Sequence, residues 1–143
     1  MSSTVPPPVP DRIGRYLIER KIGEGGMGIV YAARDERLDR TVALKTIRGS
    51  SDEIARKRLW REARAAAGIS HPNICQLYEV DETDDGLVLA MELLDGEPLG
   101  ARLTRGPLSP ADSSSVALEA LDALAALHTR GLIHRDLSRP TCF

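Results

Sequence analysis

Residues 22–30 read Ile22-Gly23-Glu24-Gly25-Gly26-Met27-Gly28-Ile29-Val30, and what flanks these glycines decides the fold. The G-x-G-x-x-G spacing also serves dinucleotide-binding folds, but there a buried strand precedes the first glycine and a helix follows the last. Here the charged run Glu19-Arg20-Lys21 comes before, and β-branched Ile29-Val30 comes after. The pattern is strand, glycine turn, strand. Read alone it is a glycine-rich hairpin; read chemically it is a flap whose backbone N–H groups can approach phosphates closely.

Outward from this hairpin, β-favouring segments run over 16–22 and 29–33. Residues 41–47 predict a third strand, with Val42, Leu44 and Thr46 alternating against Ala43, Lys45 and Ile47. The period changes over 52–67, where Ile54, Leu59, Glu62 and Ala65-Ala66 fall at helical spacing and Gly68 supplies a stop. Residues 74–80 and 87–94 read as two more strands joined by an acidic turn over 81–86. A short helix or turn falls within 98–106. Ser109-Pro110-Ala111-Asp112 then offers an N-cap, a proline at the first helical position and an acid at the third. The helix behind it reaches about Thr129, with Val116, Leu121, Leu124 and Leu127 assigned to one face and Gly131 ending it. The fold class is α+β: five strands with one inserted helix, then the start of a helical region.

Lys45, in Val42-Ala43-Leu44-Lys45, stands on the strand after the hairpin. A strand lysine among apolar residues is commonly a snorkelling charge. Beside a phosphate-cradling hairpin its ammonium can also neutralise phosphate oxygens, if a carboxylate holds it in place. Glu62, in Arg61-Glu62-Ala63-Arg64 of the inserted helix, is the candidate. A surface i,i+4 ion pair is its simpler role.

Taken together, the glycine run, Val-Ala-Leu-Lys45, Glu62, His71-Pro72-Asn73-Ile74 and His134-Arg135-Asp136-Leu137 resemble the protein-kinase signature set in its family order. The likeness spans about residues 13–137 and is nearest to bacterial serine/threonine kinases of the eukaryotic type. Composition predicts a Pro-rich disordered tail over 1–12, and the resemblance implies an N-lobe of a five-stranded antiparallel sheet plus one helix over 13–94 and a hinge with the start of an α-helical C-lobe over 95–143. It implies ATP and Mg²⁺ as cofactors and protein serine/threonine hydroxyls as acceptors; because the chain departs from the family at Thr141, no metal ligand is expected within it. Ile22, Gly23, Glu24, Gly25, Gly26, Met27, Gly28, Ile29 and Val30 would form the flap, with Gly23, Gly25 and Gly28 over the phosphates. Lys45 would contact the phosphates while paired with Glu62. Val30 and Ala43 would line the adenine pocket, Met91 its back wall, and the backbone of Glu92 and Leu94 its hinge edge. Asp136 would accept the substrate hydroxyl proton, supported by His134; Arg135 before it implies control by activation-loop phosphorylation.

The chain departs from the pattern after Leu137. Ser138 replaces the catalytic-loop lysine, and Thr141 stands where the family places a magnesium-binding asparagine. With one choice of codons for a family-like continuation, deleting one adenine from the lysine codon reproduces Ser-Arg-Pro-Thr-Cys-Phe followed by a stop, so the expectation is a frame-shifted ending, with a natural short form or degenerate copy as the alternative, and poor catalysis by this chain alone. The rival reading is a non-catalytic fragment that binds nucleotide or other proteins. The helix over 110–129 is expected to lack partners for its apolar face and to promote association.

Composition narrows the partners. The formal net charge is −2 and aromatics are 3% of 143 residues, which supplies neither a basic footprint nor stacking platforms for nucleic acid. Cys75 and Cys142 have no metal or disulfide spacing, and Cys75 reads as a small packing residue in a reduced, cytoplasmic setting. No stretch is apolar for the length of a membrane span. Val5-Pro6-Pro7-Pro8-Val9-Pro10 reads as an extended leader. His71 and His128 read as packing or capping residues, and Arg56-Lys57-Arg58 as a solvated helix face.

Overall fold

The computed structural model describes residues 9–25, 28–48, 52–84 and 86–134. Its strands are β1 (Arg12–Ile13), β2 (Tyr16–Gly25), β3 (Gly28–Asp35), β4 (Arg40–Arg48), β5 (Leu77–Thr83) and β6 (Gly86–Glu92). The helices are α1 (Glu53–Ala67), α2 (Leu99–Leu103) and α3 (Pro110–Thr129). The strands form one antiparallel sheet in the order β1-β2-β3-β4-β6-β5. Six strands replace the expected five, because Arg12–Ile13 folds back on Leu17 and Tyr16. Two residues are too few to carry a hydrophobic period. The acidic turn is also shorter than expected, since β5 runs to Thr83 and β6 starts at Gly86.

Strand alternation gives the sheet two apolar faces. Tyr16, Tyr31, Ala33, Val42, Leu44, Val88 and Ala90 form the core on one face, with Ile13, Ile18 and Ile29 packed against it. On the other, Ile47, Leu87 and Leu89 meet Ala63 of α1, joined by Leu59, Trp60, Leu77, Val80 and Met91. Each cross-strand row couples nearest neighbours on the same face, which is what stabilises a sheet.

A charge cluster ties the edge at β1–β2 to the edge at β5. Arg15 pairs with Glu79 and donates to Asp35 Oδ2 at 3.2 Å. The Tyr16 hydroxyl donates to Glu79 Oε2 at 3.3 Å. Asp35, 0% exposed, also accepts from the backbone N–H groups of Arg37 and Leu38. Arg40 lies over the Tyr78 ring at 3.9 Å. A β-bulge between Leu77 and Glu79 makes this possible. Tyr78 and Glu79 both face the outer side, while Leu77 and Val80 stay under α1.

The helix ends follow the capping chemistry. Asp52 accepts from Ile54 N–H at 2.9 Å to start α1, and Ser109 accepts from Asp112 N–H at 3.1 Å to start α3. Gly131, at φ 72°, ends α3 in a Schellman turn, its N–H bonding His128 O and that of Leu132 bonding Leu127 O. On α3 the inward face carries buried Ala123 and half-buried Val116, Ala120, Leu124 and Leu127. Leu121 does not belong to it and is 61% exposed. Five positions from Val116 is about 140° of helix rotation, which turns it away. Leu118, at 67%, is exposed beside it. Two contacts tie α3 to the loop between α1 and β5: His71 Nε2 lies 3.2 Å from Asp122, and Arg130 donates to Gly68 O at 3.4 Å.

Candidate functional site

The β2–β3 hairpin carries the glycine run in its ladder, pairing Gly23 with Val30, Glu24 with Ile29 and Gly25 with Gly28. Gly26 and Met27, at the tip, lie outside the described residues. A bulge between Lys21 and Gly23 leaves Ile22 exposed. Gly28 and Gly23 serve different ends. A Cβ at Gly28 would fall 1.6 Å from the Thr46 carbonyl oxygen, so glycine is needed there for the hairpin to lie against β4. A Cβ at Gly23 would meet no atom within 4 Å, so nothing in the fold requires a glycine there. Space that the protein leaves open beside a phosphate-type loop is what an incoming anion needs.

Below the hairpin, alternation aligns the expected residues. Lys45 is paired with Val30 on one side and Leu89 on the other. Ala43 is paired with Ala32 and Met91. Directly opposed residues share a face. Val30, Ala43, Lys45 and Met91 therefore lie together on the sheet face that α1 partly covers, with half-buried Lys45 as the cation of the row. At the end of β6, the Glu92 N–H donates to Gln76 O at 2.8 Å, and the Cys75 thiol lies 3.5 Å from Glu92 O. Leu94 follows, exposed, on the segment leading to α2.

Glu62 stands on α1 beside the face that packs on the sheet, and its side chain is exposed. Ala63, Leu59 and Trp60 occupy the face turned to the sheet, and the adjacent position is rotated about 100° from Ala63. His134 is half-buried at the end of the described chain. Asp136, Arg135, Ser138 and Thr141 lie outside the described residues. Among the described residues no group of three histidine, cysteine or acidic side chains could hold a metal ion. No described helix is long and apolar enough to cross a membrane.

The cluster around Asp35 was not anticipated from the sequence. Its signal is an acid at the end of a strand with Arg37-Leu38 behind it, the pattern of an Asx turn. Its partner Arg15 comes from another strand connection, 20 positions away, which no local pattern announces. Burial opposes the Asp35 charge, but the Leu38 N–H, the Arg15 guanidinium and the Arg37 N–H outweigh it and hold the carboxyl below its ordinary range. Burial, reinforced by the nearby Glu79 charge, pushes the Tyr16 phenol up to about 12.

Comparison with known proteins agrees with this geometry. The sequence profile of the protein kinase domain matches residues 16–139. The serine/threonine-protein kinase PrkC of Bacillus subtilis is 39% identical over 127 residues, covering 87% of this chain and 20% of the relative. A probable serine/threonine-protein kinase, pknA2 of Bifidobacterium longum, is 42% identical over 130 residues, covering 87% and 17%. Among solved structures, the Mycobacterium tuberculosis PknI kinase domain superposes with a TM-score of 0.80 at 27% identity, covering 98% of this chain and 56% of that one. The chain thus spans about a fifth of these full-length relatives and about half of the solved kinase domain.

Proposed function

Since the chain belongs to the protein kinase domain family, we propose that it carries the ATP-binding half of a serine/threonine kinase. The observation that carries this reading is the row Val30-Lys45-Leu89 lying under a hairpin that leaves Gly23 open. In it residues 13–94 act as the N-lobe and 95–143 as the hinge and the beginning of the C-lobe, in a cytoplasmic setting. ATP sits between the hairpin and the sheet face. Its adenine lies against Val30 and Ala43, bounded by Met91, with main-chain groups of Glu92 and Leu94 at its edge. Lys45 neutralises phosphate oxygens, which is largely electrostatic and positional help.

The family reaction is γ-phosphoryl transfer. A protein Ser/Thr hydroxyl oxygen bonds to the γ-phosphorus, the bond from phosphorus to the β–γ bridging oxygen breaks, ADP leaves, and Asp136 takes the hydroxyl proton. Mg²⁺ supplies charge neutralisation in that chemistry. The described residues do not furnish a ligand set for it, and Thr141 is a poor substitute for the amide the resemblance calls for. Full positioning of Lys45 needs a carboxylate beside it, and Glu62 of α1 is the candidate.

A second reading, nucleotide binding without transfer, is favoured by Ser138 and Thr141 in the catalytic loop. Calorimetric titration with ATP in the presence of Mg²⁺, set beside a phosphate-transfer assay on a generic protein substrate, separates the readings. Binding that is lost in Lys45→Ala supports the nucleotide site. Transfer above background favours the first reading, and binding without transfer favours the second. A chain that binds no nucleotide refutes both.

A further inference from the structure

Helix α1 uses one side to cover the sheet and leaves the other in solvent. On that free side stand Lys57, Arg58, Arg61 and Arg64, all exposed. At 3.6 residues per turn these four cations span an arc of about 120°. Ile54 falls inside the same arc and, at 73%, is the most exposed large apolar side chain among the described residues. Arg56 points elsewhere and pairs with Glu82 at 2.9 Å. Lys57 pairs with Glu53 at 2.8 Å. Among the described residues no carboxylate forms an ion pair with Arg58, Arg61 or Arg64; Arg64 lies over the half-buried Trp60 ring at 5.9 Å. The face therefore offers four cations against the two carboxylates at its margins, Glu53 and Glu62, on a chain whose formal net charge is −2.

We propose that this face of α1 docks on an anionic membrane surface, with Ile54 entering between the headgroups and the four cations lying over them. Its shape favours that occupant over a phosphorylated peptide. A phosphate site needs donors that converge, whereas Arg58, Arg61 and Arg64 are spread by about 4.5 Å of helix rise per step along a convex surface. A charged plane rewards summed cations without convergence, about fivefold in partitioning for each one. An aliphatic side chain standing free among cations suits the boundary between headgroups and acyl chains. The contact is shallow, because the apolar side of α1 is already spent on the sheet. The acidic β5–β6 turn, with Asp81, Glu82 and Asp84, lies beside the start of α1 and opposes contact at that end.

Vesicle flotation of the full 143-residue chain tests this, and aggregates that stay at the bottom of the gradient do not score as binding. Vesicles of phosphatidylglycerol in phosphatidylcholine are expected to float the chain at ~0.05 M salt and release it at ~0.5 M, where charges are screened. Phosphatidylcholine alone should not float it. The double variant Arg58→Gln/Arg61→Gln should partition about twenty-five-fold more weakly, and Ile54→Ser a few-fold more weakly. Arg58→Lys/Arg61→Lys should bind as the parent does, since a plane reads charge rather than the planar fork. Circular-dichroism melting guards against a folding defect, and these exposed positions should leave the midpoint unmoved. The proposal is overturned by equal flotation with neutral vesicles, by no flotation, or by flotation that the glutamine variant leaves intact. It is equally overturned if a phosphoserine peptide binds the parent and is lost in the lysine variant.

Discussion

At Gly28 and Gly23 the same residue type answers two separate demands, and substitution separates them. Gly28→Ala places a methyl group 1.6 Å from a backbone carbonyl that cannot move without distorting β4. We expect a loss of at least about 2 kcal/mol in thermal or denaturant unfolding. Gly23→Ala meets no atom of the fold and removes the entropy cost of a strand glycine, so stability should hold or rise by about 0.5 kcal/mol. If the open space there serves phosphate, nucleotide affinity should nonetheless fall, measured by the same titration as for Lys45→Ala. Unchanged affinity would dissociate Gly23 from the nucleotide. At Tyr16 the prediction concerns pH. Its folded pKa of about 12 exceeds the ordinary value near 10, so the neutral phenol is favoured by folding. That contribution is complete below about pH 10 and is lost as pH rises toward 12. Tyr16→Phe should therefore flatten the alkaline limb of the stability profile, followed by urea unfolding across that window.

Among the elements, the sheet is closed at its margins by charge as well as by apolar packing. Asp35 holds the β3–β4 turn through two backbone N–H groups and holds Arg15, which reaches on to Glu79 of β5. Its carboxyl is held below the ordinary range, so its stabilisation is present above about pH 4 and fades as pH falls through the lowered value. Asp35→Asn should cost about 2 kcal/mol at neutral pH and much less in acid, read from melting curves at both. The Asx turn at Asp35 has a local signal, but the ion pairs were not legible in the sequence, because their members lie up to 64 positions apart. What could be read was local. The alternation of 41–47 placed Ala43 and Lys45 on one face, and the cap at Ser109 fixed the start of α3. Leu121 was misassigned because a five-residue step looks helical without returning to the same face. Glu62 shows a different limit: the helix was readable, but its rotation about its own axis is set by how Leu59, Trp60 and Ala63 pack.

For the whole molecule, the sheet and α1 form a packed unit, whereas α3 is held to the α1–β5 loop by His71–Asp122 and Arg130–Gly68. Leu118 and Leu121 face outward on α3, an apolar surface unusual for an isolated helix in water. The 143-residue chain is expected to associate in a concentration-dependent way, seen by light scattering after size exclusion. Leu118→Lys with Leu121→Glu should shift it toward monomer without changing the sheet's unfolding midpoint. A parent chain that is already monomeric at high concentration would remove the basis for this prediction.

The bulge in β5 has one further consequence, for chain length. Losing a residue from a strand ordinarily turns every later side chain to the opposite face. Between Leu77 and Glu79 the strand already holds one residue beyond what the ladder uses. Without Tyr78, strict alternation would put Leu77 inward, Glu79 outward and Val80 inward, which are the sides they occupy now. Deleting Tyr78 should thus forfeit the stack under Arg40 and little else, while deleting Val80 would carry Asp81 beneath α1. The strand can absorb a deletion within the bulge and is intolerant of one at Val80.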